Sequence, residues 1–179
     1  MIPGSNGCTA AKLVATRGFV NLQFMNHDAR LYGVDVSGRL PLGGSEAVGR
    51  FALSGVVGYV SGTVIDTGDR VYHLMPLDAK LTVEHRRGGW TSTVGVQAVA
   101  AKDAVQAVRI ELPTPGYVLV NLHTAYQWKQ LRFDVGLDNA TDTRYVLPLG
   151  GRYWVGDPTG ASSVPGVGRS VFAGLTVKL

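Results

Sequence analysis

The segment Gly116–Asp138, GYVLVNLHTAYQWKQLRFDVGLD, decides the fold. Within Tyr117–Trp128, one parity carries Val118, Val120, Leu122, Thr124, Tyr126 and Trp128. The other carries Leu119, Asn121, His123, Ala125 and Gln127. Within Gln130–Asp138, Leu131, Phe133, Val135 and Leu137 alternate with Gln130, Arg132, Asp134, Gly136 and Asp138. Successive side chains of a strand point to opposite sides, so this is a two-faced sheet folded at a very tight turn.

The same period extends upstream. It predicts strands at Phe19–Met25, Arg30–Leu42, Arg50–Thr63, Leu77–Arg86 and Trp90–Lys102. Downstream, a loop at 141–168 precedes a last strand, Arg169–Leu179. Residues 1–17 read as an irregular segment, and no amphipathic helix of useful length is present. The expectation is an all-β, antiparallel wall of about eight strands in hairpin order, spanning 18–179.

Connection lengths and composition bear on what surrounds that wall. Short turns fall near 43–48, 87–89 and 129; long loops fall near 64–75, 103–114 and 141–168. The short connection at 26–29 breaks the pattern. Short turns on one rim and long loops on the other mark a transmembrane β-barrel. Trp90 and Trp128 adjoin short turns, and Tyr59 and Tyr117 lie toward the long loops. All four are expected as membrane-interface aromatics, with outer lipid as a partner. Charged residues make up 17%, against about 25% for soluble domains. The net charge of +4 comes from scattered Lys and Arg, which argues against a nucleic-acid surface. Alternation alone does not say which face is wet. A soluble eight-stranded barrel binding a small apolar ligand inside is the competing architecture. Strands longer than the usual 5–6 residues, and polar faces with both charge signs, favour the membrane wall.

Several segments also resemble one family. ARLYGVDVSGRLPL (Ala29–Leu42), LDNATDTRY (Leu137–Tyr145) and VPGVGRSVFAGLTVKL (Val164–Leu179) resemble motifs of TonB-dependent outer-membrane receptors. YHLMPLDAKL (Tyr72–Leu81), TPGYVLVNL (Thr114–Leu122), LPLGGRY (Leu147–Tyr153) and VPGVGRS (Val164–Ser170) look like the copper-receptor subgroup. The resemblance implies the C-terminal wall of a barrel of about 22 strands in the bacterial outer membrane. It implies uptake of a metal ion or metal chelate, copper first, with a plug domain, further barrel strands and the TonB complex as partners. The plug and the TonB-engaging segment are not expected within this chain, so it reads as a fragment of a receptor. Two departures stand out: Ala140-Thr141 where the family has Leu-Phe, and Leu179 where it ends in an aromatic.

Chemistry-bearing residues are sparse. His73 and Met75 lie two apart in a loop and offer a soft N/S pair suited to copper, but two ligands do not make a site. Cys8 is lone, which excludes an intrachain disulfide. His123 on a polar face fits lumen hydrogen bonding. Asp66 and Asp69 fit a turn. Asp134 and Asp138 are spaced like paired carboxylates, yet Arg132 beside them suits an ion-pair ladder. Nucleophile-elbow, metal-hydrolase and P-loop patterns are missing, so no enzyme and no cofactor is expected. Arg152, Tyr153 and Trp154, in the Gly-rich last loop, are the candidates for meeting a substrate.

Overall fold

The computed structural model describes residues 15–16, 19–20, 26–106, 109, 111–150, 152–154 and 161–178. Its strands are β1 (Ala15–Thr16), β2 (Phe19–Val20), β3 (Ala29–Ser45), β4 (Gly49–Val64), β5 (Asp78–Arg87) and β6 (Trp90–Val99). They continue with β7 (Tyr117–Trp128), β8 (Leu131–Asp138), β9 (Arg152–Trp154), β10 (Ala161–Ser163) and β11 (Ser170–Val177). Seven of them form one antiparallel sheet in the order β11-β8-β7-β6-β5-β4-β3. Each strand lies beside its neighbour in the chain, apart from the small β9–β10 hairpin inserted between β8 and β11.

Turn chemistry sets the tight rim. Gly88 takes φ +54 between β5 and β6, a left-handed conformation that glycine adopts without a Cβ clash. Lys129 takes φ +51 between β7 and β8, and its carbonyl accepts the Gln127 side-chain amide at 2.7 Å. Between β3 and β4, Ser45 Oγ accepts the Val48 N–H at 3.3 Å. Pro41 sits at a register shift on β3, an edge strand, where its missing N–H disrupts no interior ladder.

The expected strands at Arg30–Leu42 and Arg50–Thr63 are longer than their pattern implied. Gly43–Ser45, read as a turn, continues β3 through the bulge. The expected strand Phe19–Met25 does not join the sheet as described. Phe19–Val20 pairs instead with Ala15–Thr16, and residues 21–25 lie outside the described residues. So do residues 1–14 and 17–18, and with them Cys8 and most of the expected irregular segment.

The register assembles two opposed faces. Leu40, Leu53, Val83, Val94, Leu122, Leu137 and Val171 stand opposite one another across all seven strands. The next row, on the other face, is Pro41, Ala52, Glu84, Thr93, His123, Gly136 and Phe172. Leu40 is 58% exposed, Val94 47% and Val171 73%. The buried hydrophobics among the described residues are Val99, Leu119 and Ala125, all on the opposite face. An apolar surface seven strands wide, with none of the described residues packed over it, far exceeds what soluble monomers expose. β3 and β11 have no second partner strand among the described residues, so the sheet is an open wall and not a self-closed eight-stranded barrel.

Candidate functional site

The long-loop rim carries most of the non-repetitive structure. β3 and β4 overshoot β5 there, because Asp78 starts β5 opposite Gly58 while β4 runs on to Val64. Loop 65–77 then folds back along β4. Thr63 bridges Arg70, and the Val71 N–H reaches the Gly62 carbonyl at 3.1 Å. Gly62 makes this close approach possible, since a Cβ there would lie 2.9 Å from Leu74 Cδ1 and 3.0 Å from Val71 Cγ2. Two cavities open along the fold-back. One of about 430 Å³ is bordered by Gly33, Asp35, Gly58, Met75 and Asp78. The other, about 290 Å³, is bordered by Tyr59, Arg70, Leu74, Met75, Lys102 and Asp103.

Beside the second cavity, Lys102 and Glu111 form a buried ion pair at 2.5 Å. Their side chains are 3% and 5% exposed. Burial alone would push the Glu111 carboxyl up. The Lys102 ammonium and the Gln106 and His73 amides outweigh it and hold the carboxyl below its ordinary value. Sequence reading passed over both residues. The signal available was a loop, AVAAKDAVQAVRIEL, too apolar to lie in water.

The residues expected to act are dispersed. His73 has φ +64, and its ring stacks on Tyr72 at 4.5 Å, with Arg109 on the Tyr72 ring at 5.1 Å. Met75 borders both cavities. Among the described residues, no group of three or more His, Cys, Asp or Glu side chains converges as a metal site would require. Asp66 contacts His27 Nδ1 at 3.2 Å. Arg152–Trp154 form β9, paired with β10; their side chains lie outside the described ones.

On the polar face, small residues let charges meet across strands. Ala52 separates Glu84 from β3, and Arg39 reaches over it to Glu84 at 2.5 Å; Arg86 holds the same carboxylate at 3.0 Å. Asp134 accepts from Arg132 at 2.9 Å and lies 3.4 Å from His123. The His123 ring lies 5.8 Å from Phe172. Asp134 is therefore part of an ion-pair ladder. His85 lies on the apolar face, stacked on Phe51 at 4.4 Å.

Three of the four aromatics expected at a membrane interface, Trp90, Trp128 and Tyr59, lie on the apolar face. Trp90 packs on Tyr126 at 4.7 Å, and Lys129 Nζ approaches the Trp128 ring at 5.8 Å. Tyr117 lies on the other face. It stands opposite Val99 on the polar face and packs on Tyr145 at 4.6 Å. Its height along the strand is as expected, but its parity points it away from the other three.

A family model described as TonB-dependent receptor-like β-barrel matches residues 2–140. The chain belongs to the TonB-dependent receptor β-barrel family. Solved structures share its fold. The copper transporter OprC superposes with a TM-score of 0.75 at 19% identity, over 86% of this chain and 24% of its own. The ferric yersiniabactin uptake receptor FyuA from Yersinia pestis gives 0.64 at 18% identity, over 83% of this chain and 23% of its own. The ferric citrate transporter FecA, unliganded, gives 0.64 at 18% identity, over 83% of this chain and 24% of its own. No curated protein matches the chain. The chain thus spans about a quarter of the length of these structures. This TonB-dependent receptor wall keeps its irregular structure at one rim and its apolar belt on one face.

Proposed function

We propose that this chain is the C-terminal wall of an outer-membrane TonB-dependent transporter, acting in uptake of a metal ion or metal chelate and not as an enzyme. The observation that carries the reading is the unbroken apolar row from Leu40 to Val171 in a sheet whose two edges have no partner among the described residues. Such edges are tolerated in lipid only when other strands pair with them. The missing partners are the remaining barrel strands of the same receptor, around a plug that engages TonB. Trp90, Trp128 and Tyr59 then sit at the lipid boundary, and the polar face lines the lumen.

The cargo reading rests on the neighbours' names, which are a copper transporter and two uptake proteins for ferric chelates. Copper comes first because the OprC superposition is the better of the three and because the subgroup motifs agree. Arg152, Tyr153 and Trp154, with His73 and Met75 as weaker candidates, are the loop residues to test for cargo contact.

The experiment is energised uptake by the complete receptor that carries this chain. Cells with and without TonB are given radiolabelled copper, ferric citrate and ferric yersiniabactin. TonB-dependent accumulation of copper supports the full reading. Accumulation of an iron chelate instead keeps the transporter and corrects the cargo. No energised uptake of any metal species would falsify the transport reading.

A further inference from the structure

The ion pair at the long-loop rim joins segments that the sheet itself leaves separate. Glu111 Oε1 accepts Lys102 Nζ at 2.5 Å and the His73 N–H at 3.1 Å. Glu111 Oε2 accepts the Gln106 N–H at 2.9 Å. Lys102 Nζ also donates to the Pro148 carbonyl at 3.2 Å. Lys102 and Thr114 exchange both backbone hydrogen bonds, at 2.9 and 3.2 Å. One carboxylate therefore holds loops 65–77 and 100–116, and its counter-ion reaches the third loop, 139–169. Among the described residues, no backbone hydrogen bond joins the first loop to the third.

We propose that the Lys102–Glu111 pair is a clamp that makes the three long loops one moving unit. A buried charge separated from its partner without reaching water is strongly unfavourable. Both charges belong to loop 100–116, so a departing loop 65–77 takes the His73 N–H from Glu111 and a departing loop 139–169 takes the Pro148 carbonyl from Lys102, each leaving a buried charge short of a hydrogen-bond partner. The favourable opening takes both charges into water together and so releases all three loops. The clamp borders the 290 Å³ cavity, whose walls come from the end of β4 and from loops 65–77 and 100–116. Access to that cavity is thereby tied to loop 139–169, whose described residues contribute none of its lining. The coupling belongs to the loops and does not depend on the cargo.

The test is hydrogen exchange read by mass spectrometry on the complete receptor that carries this chain, in detergent micelles. Lys102→Met leaves Glu111 without its counter-ion. Glu111→Gln keeps the carbonyl acceptor but removes the charge. Asp103→Asn, outside the pair, is the control. Lys102→Met is expected to speed exchange at least tenfold in peptides over 70–76, 100–116 and 145–150 alike. Strand peptides over 78–87 and 117–128 keep their protection. Glu111→Gln gives a smaller rise in the same three loops, and Asp103→Asn gives none. A rise confined to 100–116 overturns the clamp. So does a Lys102→Met chain that loses strand protection while Glu111→Gln leaves every loop unchanged, because the pair would then serve the sheet alone.

Discussion

Asp142 and Arg169 meet where the last strand begins. Asp142 Oδ1 accepts the Arg169 N–H at 3.1 Å, and its other oxygen lies 3.9 Å from the Arg169 guanidinium. The residues belong to LDNATDTRY and VPGVGRS, the two segments that resemble TonB-dependent receptors near the C-terminus. In space these are one substructure, built around Asn139. Its Nδ2 donates to the Thr143 carbonyl at 2.9 Å, and its Oδ1 accepts the Thr143 N–H at 2.8 Å. Its own N–H reaches Asn121 Oδ1 at 2.9 Å. The Ala140-Thr141 departure leaves this bonding intact, and Thr141 Oγ1 adds a 2.9 Å contact with Thr143 Oγ1.

Asn139 is 3% exposed and has φ +49. Asn139→Ala removes buried hydrogen bonds and forces alanine into a left-handed conformation. Together these cost about 2–4 kcal/mol. Asn139→Gly keeps the conformation and is expected to lose less. Urea unfolding in micelles measures both. Equal losses would assign the whole effect to the hydrogen bonds, and unchanged midpoints would remove Asn139 from its central role.

Gly136 lies under the Phe172 ring, which occupies the space a Cβ would need. Gly136→Ala is expected to destabilise the β8–β11 pairing by about 1–3 kcal/mol through overpacking. In a Phe172→Ala background the same change should cost almost nothing. A double-mutant cycle on unfolding free energy reads the coupling, and additive effects would mean the ring moves aside freely.

The two faces predict opposite responses to charge. Val94→Arg, in the middle of the apolar row, should cost about 2–4 kcal/mol in a bilayer. Thr93→Arg, one residue away on the polar face, should change stability little. Folding yield into lipid vesicles distinguishes them. A larger penalty for Thr93→Arg would mean that the polar face meets lipid.

Glu111 sets an acid limit on the loops. Its carboxyl is held below its ordinary value, so the pair contributes fully above the unfolded-state value and fails only as pH falls through the lower folded value. Protease protection of the three loops should therefore persist at the ordinary glutamate pKa and disappear at more acid pH. Glu111→Gln should abolish this acid transition, and loops that open already near the ordinary value would contradict the buried pairing.

Legibility followed from how local each cause is. The side-chain parity of Tyr117–Asp138 is a property of consecutive residues, so both faces of β7 and β8 could be read directly. Tyr117 shares the parity of Leu119 and His123, which sets it on the polar face. Lys102 and Glu111 were invisible as a pair because they lie nine positions apart and no period relates them. The fold-back of loop 65–77 depends on Gly62 accepting Leu74 and Val71, a contact between segments with no shared pattern.

By itself the sequence determined the all-β class, the order of the hairpins, the unequal rims and the apolar parity of each strand. All of these follow from alternation and turn chemistry acting over a few residues. Only the tertiary structure decided that seven strands align their apolar parities in continuous rows, that the two edges have no partner among the described residues, and that one buried ion pair ties three loops together. Register and burial arise between distant segments. They come from hydrogen bonding across strands and from the cost of leaving a charge unpaired, which no local pattern encodes.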